Sequence, residues 1–174
     1  MDDLYKNDID KHQEEQLEVV VGFSKILVAV DASPQASVVF EQALELVKKN
    51  YPASLMIFHC IELDAIAPPS AVGVKTEQTQ RLLQSYLQQA RHQSITAEAG
   101  YQVEQSGKTL SSTLYIGKSI CHMAKNWDAD LIVLGKKNCK KLTESVLSSV
   151  SDYVTHYSHC PVFLIQDKAF HSYI

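Results

Sequence analysis

Two short stretches of this chain carry residue types and spacings able to bind an anion. The first runs from Asp128 and reads DADLIVLGKKNCKKLTESVLSSVSDYV. Leu131 to Leu134 is an apolar run short enough for a strand buried on both faces. Gly135 stops it, and a connection rich in lysine follows, with Lys136, Lys137, Lys140 and Lys141. Ser149 and Asp152 then stand three apart, as a serine cap and its acidic partner do, so a helix is expected from about Ser148. Strand, glycine, polar loop and helix start together make the layout of an anion site in an open α/β sheet. The second stretch is Lys25 to Val30, an apolar run ending at Asp31, with Ser33 and Pro34 placed as cap and first helical residue.

Other reactive residues do not assemble by spacing. Cys121 and His122 are adjacent, so on a helix they project to different sides. His59 and Cys60 alternate across a strand, with the same result. His156, His159 and Cys160 lie near a helix end, where a histidine is favourable without any metal. No fourth ligand is evident beside them, and no metal site is expected. No Gly-x-Ser-x-Gly, P-loop lysine or paired catalytic carboxylates appear. Cys139, flanked by lysines, is the thiol expected to be exposed and to have a lowered pKa, so it should alkylate before Cys60. Its plainer reading is an ordinary loop cysteine, since no resolving thiol is visible.

The elements that must position these residues alternate. After the first strand, Ala36, Phe40, Ala43 and Val47 make one apolar helix face. Ser54 to Ile61 is the second strand. A helix is expected from Thr76, with Leu83, Tyr86, Leu87 and Ala90 inward and Gly100 near its end. Residues 101 to 112 are ambiguous, and Thr113 to Ile116 is the expected third strand, followed by a helix over Lys118 to Trp127 with Ile120, Ala124 and Trp127 inward. On the helix after Ser148, Val150, Tyr153, Val154 and Tyr157 form the apolar face, and Pro161 to Gln166 is a fifth strand. Alternation of this kind gives right-handed crossovers, a parallel sheet, and helices on both faces.

These motifs resemble the universal stress protein family over about residues 25–166. Nucleotide-binding members carry Gly-x2-Gly-x9-Gly-Ser/Thr after the fourth strand. Gly135 and Ser149 fill the first and last positions, whereas Asn138 and Ser148 replace the middle glycines. The resemblance implies a three-layer α/β fold of the adenine nucleotide alpha hydrolase-like kind. Its five parallel strands would run in the order 3-2-1-4-5, with a crevice between strands one and four. It further implies that Asp31 and the backbone of Cys60 hold an adenine, and that Leu134 and Gly135 flank the nucleotide. Asn138, Ser148, Ser149, Val150 and Ser151 would wrap the phosphates. Asn138 tolerates the left-handed geometry a glycine adopts, but the Ser148 side chain would occupy space nearest the phosphates.

The expected function is therefore a regulatory or stress-response module with an altered pocket, not an enzyme, acting through dimerisation and protein partners. The alternatives are a sensor of ATP or AMP and, from another class, a slow ATP hydrolase.

Composition and charge bound the rest. The chain is 45% apolar, which suits one soluble globular domain, and no apolar run approaches the ~20 residues that span a bilayer. Residues 1–24 form an acidic arm of seven acids against two lysines, −5 of the total −4, so the remainder carries only +1. Such a body has no strong field to recruit nucleic acid. The N-terminus lacks a hydrophobic signal region, and four cysteines without a Cys-x-x-Cys pair suit reduced thiols; a cytoplasmic setting is expected. The domain is expected over 25–166, with a tail at 167–174. Val162, Phe163, Leu164 and Ile165 make a bare apolar run on a strand expected at the sheet edge, which invites pairing with a second copy. Many members of the family pair their fifth strands in this way. The competing expectation is that the tail folds over that edge, burying Phe170 and Tyr173.

Overall fold

In the computed structural model, residues 22–64, 66–106, 112–136 and 149–166 are described. The acidic segment 1–21, the lysine-rich connection 137–148 (with Asn138, Cys139 and Ser148) and the tail 167–174 lie outside them. The elements in order are β1 (Lys25–Ala29), α1 (Gln35–Lys49), β2 (Ser54–Asp64), α2 (Pro69–His92), β3 (Ala97–Ser106), α3 (Ser112–Asn126), β4 (Leu131–Gly135), α4 (Val150–Tyr157) and β5 (Val162–Ile165). All four strand pairings are parallel and the order is β3-β2-β1-β4-β5. The order reverses between β1 and β4, where Ile26 pairs with Leu131 and Val28 with Val133.

Each face of the sheet buries its own cluster. Alternate residues of β1, Ile26 and Val28, pack with Phe40, Ala43 and Val47 of α1 and Leu83 and Ala90 of α2. On the other face Leu27, Phe58, Ile132 and Leu134 pack with Ile120 and Ala124 of α3 and Val154 of α4. Burial on both faces explains why β1 and β4 read as continuous apolar runs rather than alternating ones. Packing begins ahead of Lys25: the Phe23 amide donates to Asn50 Oδ1 at 2.9 Å, and Asp130 accepts from the amides of Ser24 and Lys25 at 2.7 and 3.0 Å.

Several local expectations are corrected. The third strand is β3, not Thr113–Ile116, which forms the first turns of α3. Among the described residues β3 lies at the sheet edge and pairs on one side only, and it reads AEAGYQVEQS, with polar residues alternating among small and half-exposed apolar ones. Thr113–Ile116 has strand-like residue types, but Ile116, Ile120 and Ala124 recur every four residues and seat a helix face on the sheet. Tertiary burial outweighs the weak local preference. Gly100 accordingly sits within β3 rather than at a helix end. α2 begins at Pro69, seven residues before Thr76, because Pro68 and Pro69 supply an extended cap residue and a proline first turn. α1 starts at Gln35 after Pro34, without a side-chain cap; the Ser33 hydroxyl donates to Asp31 instead. Tyr157, expected on the inner face of α4, is 53% exposed.

Candidate functional site

The C-terminal ends of β1, β2 and β4 open into a cavity of about 310 Å³. Asp31, Cys60, Leu134, Gly135, Ser149, Val150 and Ser151 all line it, so seven of the nine residues singled out from the sequence converge there. The other two, Asn138 and Ser148, lie outside the described residues. Convergence follows from topology. Parallel strands end on the same side, and at the reversal point α1 leaves over one face while α3 and α4 cover the other, so the top of the sheet stays open.

Each side chain is held by local chemistry. Asp31 Oδ1 accepts from the Ser33 amide at 3.0 Å and the Ser33 hydroxyl at 2.5 Å, an Asx turn that fixes the carboxylate at the end of β1. Gly135 admits α1 closely: a Cβ there would stand 3.1 Å from Val39 Cγ2. Ser149 has extended backbone and its hydroxyl accepts from the Asp152 amide at 3.1 Å, the cap read from the sequence. The hydroxyls of Ser149 and the buried Ser151 are 2.9 Å apart, which brings two hydroxyl groups to the start of α4. Cys60 is half-buried in β2, and burial, then the charges of Glu104 and Glu62, push its thiol up to about 12, against a hydrogen bond with Ser119.

Residues not anticipated from the sequence complete the walls. Phe58 forms apolar wall from β2, and Ile116 and Ile120 close the cavity from α3. Glu62 enters because it stands two residues beyond Cys60 on the same face of β2; that spacing was a readable signal. Glu62 pairs in register with Glu104 of β3, whose carboxylate accepts from Ser119 Oγ at 2.5 Å and Gln102 Nε2 at 2.8 Å. Among the described lining residues, the charged side chains are Asp31 and Glu62, both acidic. Lys136, which follows the lining residue Gly135 in the chain, is exposed, and its amide donates to the Ile165 carbonyl at 2.8 Å.

Elsewhere, His159 Nε2 lies 3.1 Å from the Ala129 carbonyl, and the His156 ring meets Tyr157 edge-on at 4.7 Å. Among the described residues no group of three or more His, Cys, Asp or Glu is placed to hold a metal ion. No described helix is long and apolar enough to cross a membrane.

The thiols give a direct test of this burial. Burial raises the pKa values of Cys60, Cys121 and Cys160 above the ordinary thiol value. Only thiolate attacks iodoacetamide, so at pH 8 native Cys60 should alkylate at least ~100-fold more slowly than in denaturant. The sign for stability follows. The native thiol stays protonated where the unfolded one ionises, so its contribution is whole below about pH 9 and is lost as pH rises towards 12. Peptide mapping of timed alkylation checks the rate; equal native and denatured rates at Cys60 would contradict the burial.

Comparison with known proteins gives a consistent outcome. The Universal stress protein family pattern matches residues 22–166. A universal stress protein of Synechocystis is 36% identical over 164 residues, covering 84% of this chain and 99% of that protein. A universal stress protein of Archaeoglobus fulgidus, solved in complex with dAMP, superposes with a TM-score of 0.58 at 20% identity, over 82% of this chain and 97% of that one. An Arabidopsis thaliana family protein solved with AMP bound gives 0.57 at 21%, over 84% and 93%. At such identities the two structures speak for the fold alone. The family match over most of the chain, together with the Synechocystis relative, establishes that this chain belongs to the universal stress protein family of stress-response proteins.

Proposed function

We propose that this protein is a non-enzymatic regulatory module, working as a homodimer with a protein partner in the cytoplasm, whose β1/β4 cavity takes an adenine nucleoside monophosphate in preference to ATP. The observation that carries the ligand reading is the composition of the cavity. Its walls are apolar, as a base requires, and its charged lining side chains among the described residues, Asp31 and Glu62, are acidic. Carboxylates accept hydrogen bonds from amino and hydroxyl groups but repel phosphates. The two serine hydroxyls at the start of α4 give a small polar subsite backed by the positive end of a short helix. The Archaeoglobus and Arabidopsis proteins, solved with dAMP and AMP, lend the same ligand class support. Asn138 and Ser148 stand at the family's glycine positions in the sequence, and glycine is the residue that lets backbone amides approach a phosphate most closely.

Calorimetry should give measurable AMP binding, and ATP with magnesium no tighter than about 10 μM, or about 7 kcal/mol. Submicromolar ATP would overturn the preference. The Asn138→Gly, Ser148→Gly double variant should gain ATP affinity; a folded double variant that binds no better would remove the glycines as the limiting feature. Mass spectrometry of the denatured purified protein reads any nucleotide carried through purification. Sustained phosphate release from ATP would replace the regulatory reading with the hydrolase.

A further inference from the structure

α4 and its cap carry the three pocket residues Ser149, Val150 and Ser151, yet the helix is only eight residues long. Such a helix depends on its neighbours for placement. Its packing against α3 has one unusually close point. A Cβ built on Gly117 would stand 2.6 Å from Tyr153 Cδ1, 2.8 Å from Cγ and 2.9 Å from Cβ. Real side chains do not approach so closely, so the Tyr153 ring rests directly on the α3 backbone. Gly117 is flanked on α3 by Ile116 and followed one turn later by Ile120, and both line the cavity. Tyr153 lies one turn along α4 from Ser149. The contact therefore joins α3, which supplies Ile116 and Ile120 to the cavity, to α4, whose first turn supplies Val150 and Ser151.

We infer that Gly117 is a positioning residue: its missing side chain seats Tyr153, and this seat sets the separation of α3 from the start of α4 and so the width of the ligand cavity. Alanine is the better helix former, so in an open helix the exchange is favourable. Gly73 in α2 is such a place, with nothing within 4 Å of a built Cβ. At Gly117 the same methyl must push the ring and with it α4, because close-packed interiors transmit displacement rather than absorb it. The Tyr153 ring is anchored further by a tilted contact with Tyr157 at 4.5 Å, which favours movement of the helix over movement of the ring alone.

The affinity part of the test rests on the proposed AMP binding; a second readout does not. Gly117→Ala should bind AMP about tenfold more weakly, and Cys60, which lines the cavity, should alkylate about tenfold faster as the mouth widens. Gly73→Ala should leave both unchanged. Ala90→Gly, destabilising in α2 on the opposite face of the sheet, should also leave both unchanged, which separates positioning from loss of stability. If Gly117→Ala does not fold, Tyr153→Ala removes the ring from the same seat and should speed Cys60 alkylation likewise. Wild-type protein that binds no AMP defeats the ligand reading and leaves the Cys60 rate to decide. Gly117→Ala with wild-type AMP affinity and wild-type Cys60 alkylation overturns the inference.

Discussion

Phe58→Ala should lose about 3–5 kcal/mol of stability, lowering the melting temperature by roughly 6–20 °C for a chain of this size. Phe58 is 0% exposed, lies in β2, and packs in the cluster shared by α3 and α4. Its ring also forms part of the cavity wall. Truncation therefore removes transfer free energy and dispersion contacts, and the void it leaves is continuous with an existing cavity rather than free to collapse. The upper part of the range follows from that continuity, because the rigid strand beneath does not move in to fill the space. Phe58→Leu keeps most of the volume and should cost less than half as much. Urea titration at fixed protomer concentration measures both, since association would otherwise alter the midpoint. A Phe58→Ala loss below about 1 kcal/mol would mean that this face of the sheet is not a packed core.

The second large effect concerns the dimer. β5 is the terminal strand, bonded to β4 on one side and unpaired on the other among the described residues. Phe163 is 46% exposed there, while Val162 and Leu164 are half-buried. In the proposed two-fold pairing of β5 with β5, each Phe163 is covered by the partner, and Pro161 removes one donor without blocking the rest. Phe163→Lys should then convert two chains to one at micromolar concentration. Burying one phenylalanine per protomer contributes about 1.5 kcal/mol or more, and symmetry counts it twice, so the dissociation constant should rise about 100-fold. A charged edge also opposes strand addition. Sedimentation equilibrium distinguishes the species. A wild-type protein that is one chain, and stays one chain when residues 168–174 are removed, would rule out both the strand pairing and the tail as its mask.

Much of the architecture was legible because it is local. Leu131 to Leu134, stopped by Gly135, is short enough for a strand buried on both faces, and the Ser149 hydroxyl caps the helix through the Asp152 amide three residues on. The apolar faces of α1 and α2 follow from a period that backbone geometry fixes. The resemblance to a known family placed Asp31 and Gly135 in one crevice, since the strand order determines which ends meet. What the sequence left ambiguous depends on which faces other elements cover. β3 was missed because an edge strand is half-buried and carries polar residues where a central strand carries valine or isoleucine. Thr113–Ile116 became helix because packing on the sheet outweighs the preference of four residues. The exposure of Tyr157, the entry of Ile116 into the cavity, and the seat of Tyr153 on Gly117 were decided only by the tertiary structure, whereas Glu62 was legible from its two-residue spacing to Cys60. Each is a distance between residues far apart in the chain, fixed when helices pack at a separation set by the side chains that meet there.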